Sequence, residues 1–331
     1  MILEVGTINL DHIITCQHLP EPKESILCKD VTLMLGGKGA NQIAAAGRLG
    51  AETILISMVG ENDPNNTILF HDLNWAGVNT DFIGIASDMS SGSAFVCVED
   101  SGQNAIIINV GANAAITPAI IDQNKACFEK SDVCITEFSV PIDTCEYAIK
   151  IAKGNNNLTI VNPAPYAEIS NNFFKNIDII TPNEMEAADF CGFPVTDESS
   201  ASEACYFFHS KGVKNVVITM GHQGAFVSDG HSQLMIPSYK VNAIDTSGAG
   251  DSFNGGLAYA CSLKKDIFTA AKFGNAVASL SVQKKRNSSL DANLSRSPLC
   301  IPHLKKIALY AQSFYLSYAL TYTTSSFSLS I

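Results

Sequence analysis

Beyond Ala51 the chain alternates between short apolar runs rich in β-branched residues and longer runs with helical spacing. Strands are expected at 53–59, 132–137, 158–162 and 215–220, and helices at 67–76, 118–130, 143–153, 183–191 and 199–211. Residues 1–6 read as one more short, buried strand. Alternation of this kind predicts an α/β fold with a mostly parallel central sheet and helices on both faces. It also predicts where a ligand goes, because such sheets bind beyond the carboxyl ends of their strands. At 331 residues there is enough chain for one large domain or two small ones.

Charged residues make up 16% of the chain against 46% hydrophobic, which fits a well-buried globular enzyme and not a disordered chain. The net charge of −11 argues against a nucleic-acid partner. It does not exclude an anionic nucleotide, which local backbone dipoles and metal ions can hold. The ten cysteines include no pair spaced C-x-x-C, and Cys97, Cys134 and Cys191 lie in apolar runs. They read as reduced core residues, not as a disulfide or zinc framework. No basic region followed by a cleavage site opens the chain, so no signal peptide is expected. The expected location is the cytoplasm, and also the nucleus in a eukaryotic cell.

Chemistry is expected at Asp245-Thr246-Ser247-Gly248-Ala249-Gly250-Asp251, between an extended run at 239–244 and a helix at 251–262. Gly248, Ala249 and Gly250 let the backbone approach a ligand closely, and their N–H groups lie where a helix start attracts anions. A carboxylate at Asp251 would repel phosphate there. It is either a general base beside a transferring phosphoryl group or an acid that stabilises the first helical turn. A second cluster far upstream, Gly36-Gly37-Lys38-Gly39-Ala40-Asn41-Gln42, favours the first reading. It opens a small-residue helix at 43–49 that Gly50 stops.

Asn9 and Asp11 alternate along an extended segment and share a face. They are either turn formers at a strand end or ligands for hydroxyl groups, for which a carboxylate offers several acceptor sites. Residues 93–98 and 104–110 read as a hairpin. Asn183 and Glu186 are three apart in a first helical turn, either as ordinary helix-start residues or as a functional pair.

Six motifs then stand in order. They are Gly6-Thr7-Ile8-Asn9-Leu10-Asp11-His12, the Gly36 cluster, Gly111-Ala112-Asn113-Ala114-Ala115, Asn162-Pro163-Ala164-Pro165, Thr181-Pro182-Asn183-Glu184, and the stretch leading to Asp251. Together they closely resemble the ribokinase family of sugar kinases, from about Leu3 to about Val282.

The resemblance implies a three-layer α/β fold with a small β-sheet lid, built from segments at about 12–35 and 92–110. It implies ATP-dependent phosphorylation of a sugar, with D-ribose and its 5-hydroxyl as the expected substrate and acceptor. Asp251 would be the base, and N–H groups around Gly248, Ala249 and Gly250 would stabilise phosphoryl charge. Asn9, Asp11, Gly37, Lys38, Asn41 and the position of Ser139 would face the sugar. ATP would lie against Asn183, Thr219, Met220, Gly221, His222, Gln223, Gly224, Gly250 and Asn275. The last stands where many relatives place a histidine beside adenine. Glu186 would order Mg²⁺ through water, and Asp245 and Ser247 would help bind K⁺. The implied assembly is a homodimer through the lid.

Two stretches depart from the family pattern. The family commonly carries a sugar-contacting glutamate where this chain has Ser139, and Glu137, on the same face of a continued strand, is the candidate to replace it. The resemblance also ends after Val282. Residues 284–331 hold six basic residues and one acidic one, and 286–302 contain no glycine. Arg286 stands where a glycine-containing loop would complete the K⁺ site. A residue with a β-carbon enters a left-handed conformation at about 1 kcal/mol or more, so weak or absent K⁺ activation is expected. Residues 307–331 are uncharged and rich in Ser, Thr and Tyr, which suits a docked tail better than a membrane span. The expected organisation is a kinase domain at 1–283 and a divergent tail at 284–331. Two other readings stay open: a kinase for another sugar or nucleoside of the family, and a sugar-binding protein with impaired turnover.

Overall fold

The first strand, β1 (Ile2–Val5), is buried along its whole length, as a strand in the middle of a parallel sheet must be. It leads into β2 (Asn9–Cys16), β3 (Asp30–Gly36) and α1 (Lys38–Arg48). Next come β4 (Thr53–Gly60), α2 (Asn66–Trp75), β5 (Val78–Asn79) and β6 (Ile83–Ala86), then a hairpin of β7 (Gly92–Glu99) and β8 (Asn104–Asn109). The alternation continues through α3 (Pro118–Gln123), α4 (Lys125–Lys130), β9 (Val133–Glu137), α5 (Ile142–Gly154), β10 (Leu158–Asn162), α6 (Asn171–Phe174) and β11 (Ile179–Ile180). It closes with α7 (Glu184–Cys191), α8 (Glu198–Ser210), β12 (Asn215–Thr219), β13 (Gly224–Ser228), β14 (Gln233–Pro237), α9 (Ala249–Ser262) and α10 (Ile267–Ser281). This computed structural model describes residues 1–283, so the expectations for 284–331, including Arg286, lie outside the described residues.

The main sheet has the order β14-β13-β12-β11-β10-β9-β1-β4-β5, and β6 also pairs with β4. Pairing is parallel from β12 to β5, and β13 and β14 add an antiparallel edge. Alternate strand residues feed two cores. Leu3, Val5, Ile54, Ile56 and Val161 pack with α5, α7 and α8 on one face. Ile2, Leu55, Ile135, Ile160 and Val217 pack with α1, α2, α9 and α10 on the other. Helix starts are set by side chains. Asn183 and Asp197 cap α7 and α8 with reciprocal capping boxes, and Asp266 caps α10.

A second sheet, in the order β3-β2-β7-β8, forms the lid. Its first strand begins at Asn9, earlier than residue 12, so the expected sugar residues Asn9 and Asp11 belong to the lid strand itself. The expected helix at 118–130 is broken in two. The Asn124 side chain donates back to Ile120 O at 2.9 Å, and its backbone leaves the helical region between α3 and α4. Residues 239–244 are outside any strand, tied instead to the end of α10 by Ile244 N–H to Val282 O. No helix of the described residues is long and apolar enough to cross a membrane.

Candidate active site

Asn162 at the end of β10 and Thr181 just after β11 are tied by hydrogen bonds to α1 and to the first turns of α9. Gly248 caps this helix with φ +72°, a left-handed conformation that glycine adopts without strain. It turns the chain so that Asp251 falls in the first helical turn, where α9 directs its N–H dipoles. Ala249 N–H already donates to Thr246 O at 3.2 Å, and Ser252 N–H returns to Gly248 O. Asp251 is 9% exposed. Its Oδ2 accepts from Asn41 Nδ2 at 3.0 Å and its Oδ1 from Gln42 Nε2 at 3.3 Å. A carboxylate fixed by two donors beside an anion-attracting helix start can take a proton from a hydroxyl while a phosphoryl group lies next to it.

Asn41, expected to face the sugar, is thus placed against Asp251. Gln42 ends the glycine cluster with no role expected for its side chain, yet it opens a ring of hydrogen bonds. Gln42 Nε2 donates to Asn162 Oδ1 (3.1 Å), and Asn162 Nδ2 to Thr181 O (3.0 Å). Thr181 Oγ1 donates to Asn254 Oδ1 (2.7 Å), and Asn254 Nδ2 to Gly250 O (3.0 Å), one residue from Asp251. The ring joins α1, β10, the end of β11 and α9. In the sequence Gln42, Asn162 and Thr181 each stand in one of the quoted motifs, but nothing there pairs them with one another or with Asn254.

On the lid side, Asn9 and Asp11 share a face of β2. Asn9 Oδ1 accepts from Asn113 Nδ2 at 2.8 Å, and Asn113 also pairs with both main-chain groups of Ile8. Asp11 is buried, and its position depends on Gly36 across the strand pair. A β-carbon at Gly36 would lie 2.0 Å from Asp11 Oδ1. Gly37 caps α1, and Lys38 is the first residue of that helix, which starts earlier than residue 43. Lys38 and Asp251 are both close enough to act on the Glu186 carboxyl, the first favouring its charge and the second opposing it.

Glu137 does not take the place left by Ser139. It is fully buried, its Oε1 accepts from Thr7 N–H and Thr7 Oγ1, and its Oε2 from Ser139 N–H. The chain turns after β9, so the two side chains do not share a strand face, and Ser139 is exposed in that turn.

Asn183, expected against ATP, is the N-cap of α7 with extended backbone, not a residue of its first turn. Asn183 Oδ1 accepts from Glu186 N–H at 2.8 Å, and Glu186 Oε2 accepts from Asn183 N–H at 2.9 Å. One Glu186 oxygen is so committed to the cap. Burial raises the Glu186 carboxyl pKa above its ordinary value, against the hydrogen bond from Asn183 and the charge of Lys38. Thr219 ends β12, and Gly221, His222 and Gln223 form an exposed 3-10 turn before Gly224. The Met220 side chain is in the core, so only its main chain can meet a nucleotide. Asn275 is buried in α10, where its Nδ2 donates to Ile236 O at 3.0 Å. Its amide donor therefore ties α10 to β14. Asp245 Oδ1 accepts from Ser247 N–H at 2.9 Å, and Val282 O accepts from Ile244 and Asp245 N–H.

The sequence matches the pfkB family of carbohydrate kinases over residues 1–292. It is 38% identical over 281 residues to a ribokinase of Haemophilus influenzae, covering 85% of this chain and 92% of that one. It is 31% identical over 290 residues to a deoxyribokinase of Salmonella typhi, covering 87% and 94%. The structure is similar to that of an Arabidopsis thaliana ribokinase complexed with ribose and ATP, with a TM-score of 0.81, 29% identity, and coverage of 86% and 93%.

Proposed function

The chain belongs to the pfkB family of carbohydrate kinases, and on that premise we propose that it transfers the γ-phosphoryl group of ATP to the 5-hydroxyl of D-ribose. The observation that carries this reading is Asp251, held by Asn41 and Gln42 in the first turn of α9. Asp251 accepts the hydroxyl proton as the oxygen attacks phosphorus. The N–H groups of Gly248 and Gly250 stabilise charge that grows on the phosphoryl oxygens, while that of Ala249 is engaged with Thr246 O. Asn9 and Asp11 fix the sugar, and Lys38 adds a positive charge to the same space. Residues 219–224 receive the nucleotide.

The residues fit a magnesium ion held mostly by water and phosphate. Among the described residues no three acidic, His or Cys side chains converge, and Glu186 keeps one carboxylate oxygen outside its cap. Bound there, Mg²⁺ would offset phosphate charge. For K⁺, Asp245 and Ser247 lie on the segment that Val282 O ties to the end of α10. The remaining ligands expected for K⁺ fall beyond the described residues, and the weak K⁺ response stays an expectation. The lid also offers a homodimer surface, because β8 is an edge strand with Ile106, Ile107 and Ile108 all exposed.

A second substrate, a deoxy sugar, is favoured by one observation. No acidic side chain reaches the sugar from the turn at Ser139, since Glu137 is buried and engaged. The test is ADP release and direct binding with Mg-ATP across ribose, 2-deoxyribose, fructose and nucleosides. Ribose should give the highest kcat/KM. A stronger response to another compound replaces the substrate, and binding without ADP release removes the kinase reading.

A further inference from the structure

Beneath the hydrogen-bond ring, β1 carries an acid that the chemistry above does not use. Glu4 stands in an apolar strand and is wholly buried. Its carboxyl reaches over Gly6. A β-carbon added to Gly6 would lie 3.0 Å from Glu4 Oε1 and 2.5 Å from Gly39 Cα in the first turn of α1. Glu4 therefore lies in the layer between β1 and α1 that also holds the buried Gln42.

Both Glu4 oxygens lack a hydrogen-bond partner, and so do Gln42 Oε1 and Ser57 Oγ. Ser57 of β4 is one residue beyond the Val5–Ile56 pair, beside Gly6. The Gln42 amide is oriented by what it faces. Asp251 and Asn162 both present acceptors, so Nε2 points to them and Oε1 is left in need of a donor. A carboxylate has no donor to offer Gln42 Oε1, whereas a neutral carboxylic acid has one. Charge points the same way. Burial, then Glu137 of β9, then Asp251 of α9 push the Glu4 carboxyl well above the usual carboxylate range. The other elements around it add no opposing carboxylate partner: β4 carries no titratable side chain, α1 presents the neutral Gln42, and burial keeps Cys134 of β9 protonated.

We propose that Glu4 is a positioning residue for phosphoryl transfer: as the neutral acid it donates to Gln42 Oε1, and so holds the N–H end of that amide against Asp251. The role rests on Asp251 being the base. Without this donor the Gln42 amide is held from one end only, by Asn162 and Asp251, and Asp251 is aimed with less constraint.

Glu4→Met removes the donor while filling similar space. It should lower kcat roughly 10- to 100-fold, the worth of an outer supporting partner or of a misplacement of about 1 Å, with KM for ribose and ATP little changed. Glu4→Gln returns a neutral donor and should restore most of that loss. In an Asp251→Asn background, Glu4→Met should add little. Infrared difference spectra between the parent and Glu4→Gln should show the C=O stretch of a protonated carboxylic acid at neutral pH. Absence of that band, equal loss in the Gln and Met variants, or unchanged kcat in Glu4→Met would each overturn the proposal. If Glu4→Met does not fold, the band and the kcat of Glu4→Gln decide. If Asp251→Asn keeps its turnover, the base reading fails and the positioning role with it, while the band still reports a neutral Glu4.

Discussion

Asp251 owes its geometry to two amide donors, and only its ability to take a proton separates it from an asparagine in the same place. Asp251→Asn should lower kcat by roughly 10²-fold or more while ribose still binds, as steady-state rates and calorimetry would show. Near-normal turnover would remove Asp251 from the chemistry. Asp11 is buried on β2, and Gly36 leaves the space for its carboxylate. Asp11→Ala and Gly36→Ala should both raise KM for ribose roughly tenfold or more, the worth of a hydrogen bond to a charged group, with KM for ATP nearly constant. Parallel loss for both substrates would make Asp11 a support of the lid. Glu4 has a stability consequence of its own. Its folded pKa lies above its unfolded value of about 4.3, so its contribution is complete below that pH and is lost as pH rises, by at most about 1.4 kcal/mol per unit. Urea midpoints of Glu4→Gln should exceed those of the parent by a margin that opens as pH rises above about 4.3 and closes below it. Parallel midpoints would show an ordinary carboxyl.

Among elements, the short strand β11 has only two residues, and Asp178 just before it holds it in register. Asp178 Oδ2 accepts from Thr159 N–H and Thr159 Oγ1, each at 3.1 Å, and Oδ1 pairs with Lys153 and with Lys214 at 2.7 Å. Burial alone would raise its pKa, but the hydrogen bonds from the two lysines and Thr159 bring it below the ordinary value. Its stabilisation is therefore present above about pH 3.9 and is lost as pH falls through the lower folded value. Asp178→Ala should cost about 2–3 kcal/mol at pH 7, with the difference from the parent shrinking in acid. An unchanged denaturant midpoint at pH 7 would deny the clamp. The elements themselves were largely legible in sequence, because strands buried on both faces leave continuous apolar runs such as that of β4. The break at Asn124 was not, since an asparagine that bonds back to its own helix looks like any other in the sequence. The capping box of Asn183 and Glu186 was visible as a spacing, but its geometry uses a carboxylate oxygen that the sequence reading gave wholly to magnesium.

Over the whole described chain, the stretch ending at Asp251 and the glycine cluster stood out in the sequence because each is local. Their supporting network was not, because its members are far apart: Gln42 is 120 residues from Asn162 and 209 from Asp251. The lid's outer strand makes a prediction at this scale. Ile107→Asp puts a charge on the exposed β8 edge and should convert a dimer to a monomer by sedimentation, with the fold intact by circular dichroism. A dimer that persists would remove the lid as the interface. The ring from Gln42 through Asn162, Thr181 and Asn254 back to Gly250 has a further consequence, for how such a protein can diverge. Each member satisfies the next, so any single replacement strands a buried donor or acceptor at about 1–3 kcal/mol. Viable change there must come in matched pairs, and substitutions harmful alone should become neutral together. The floor of this site is thus expected to be a region of strong epistasis, inherited as a set, beneath walls whose residues can drift one at a time.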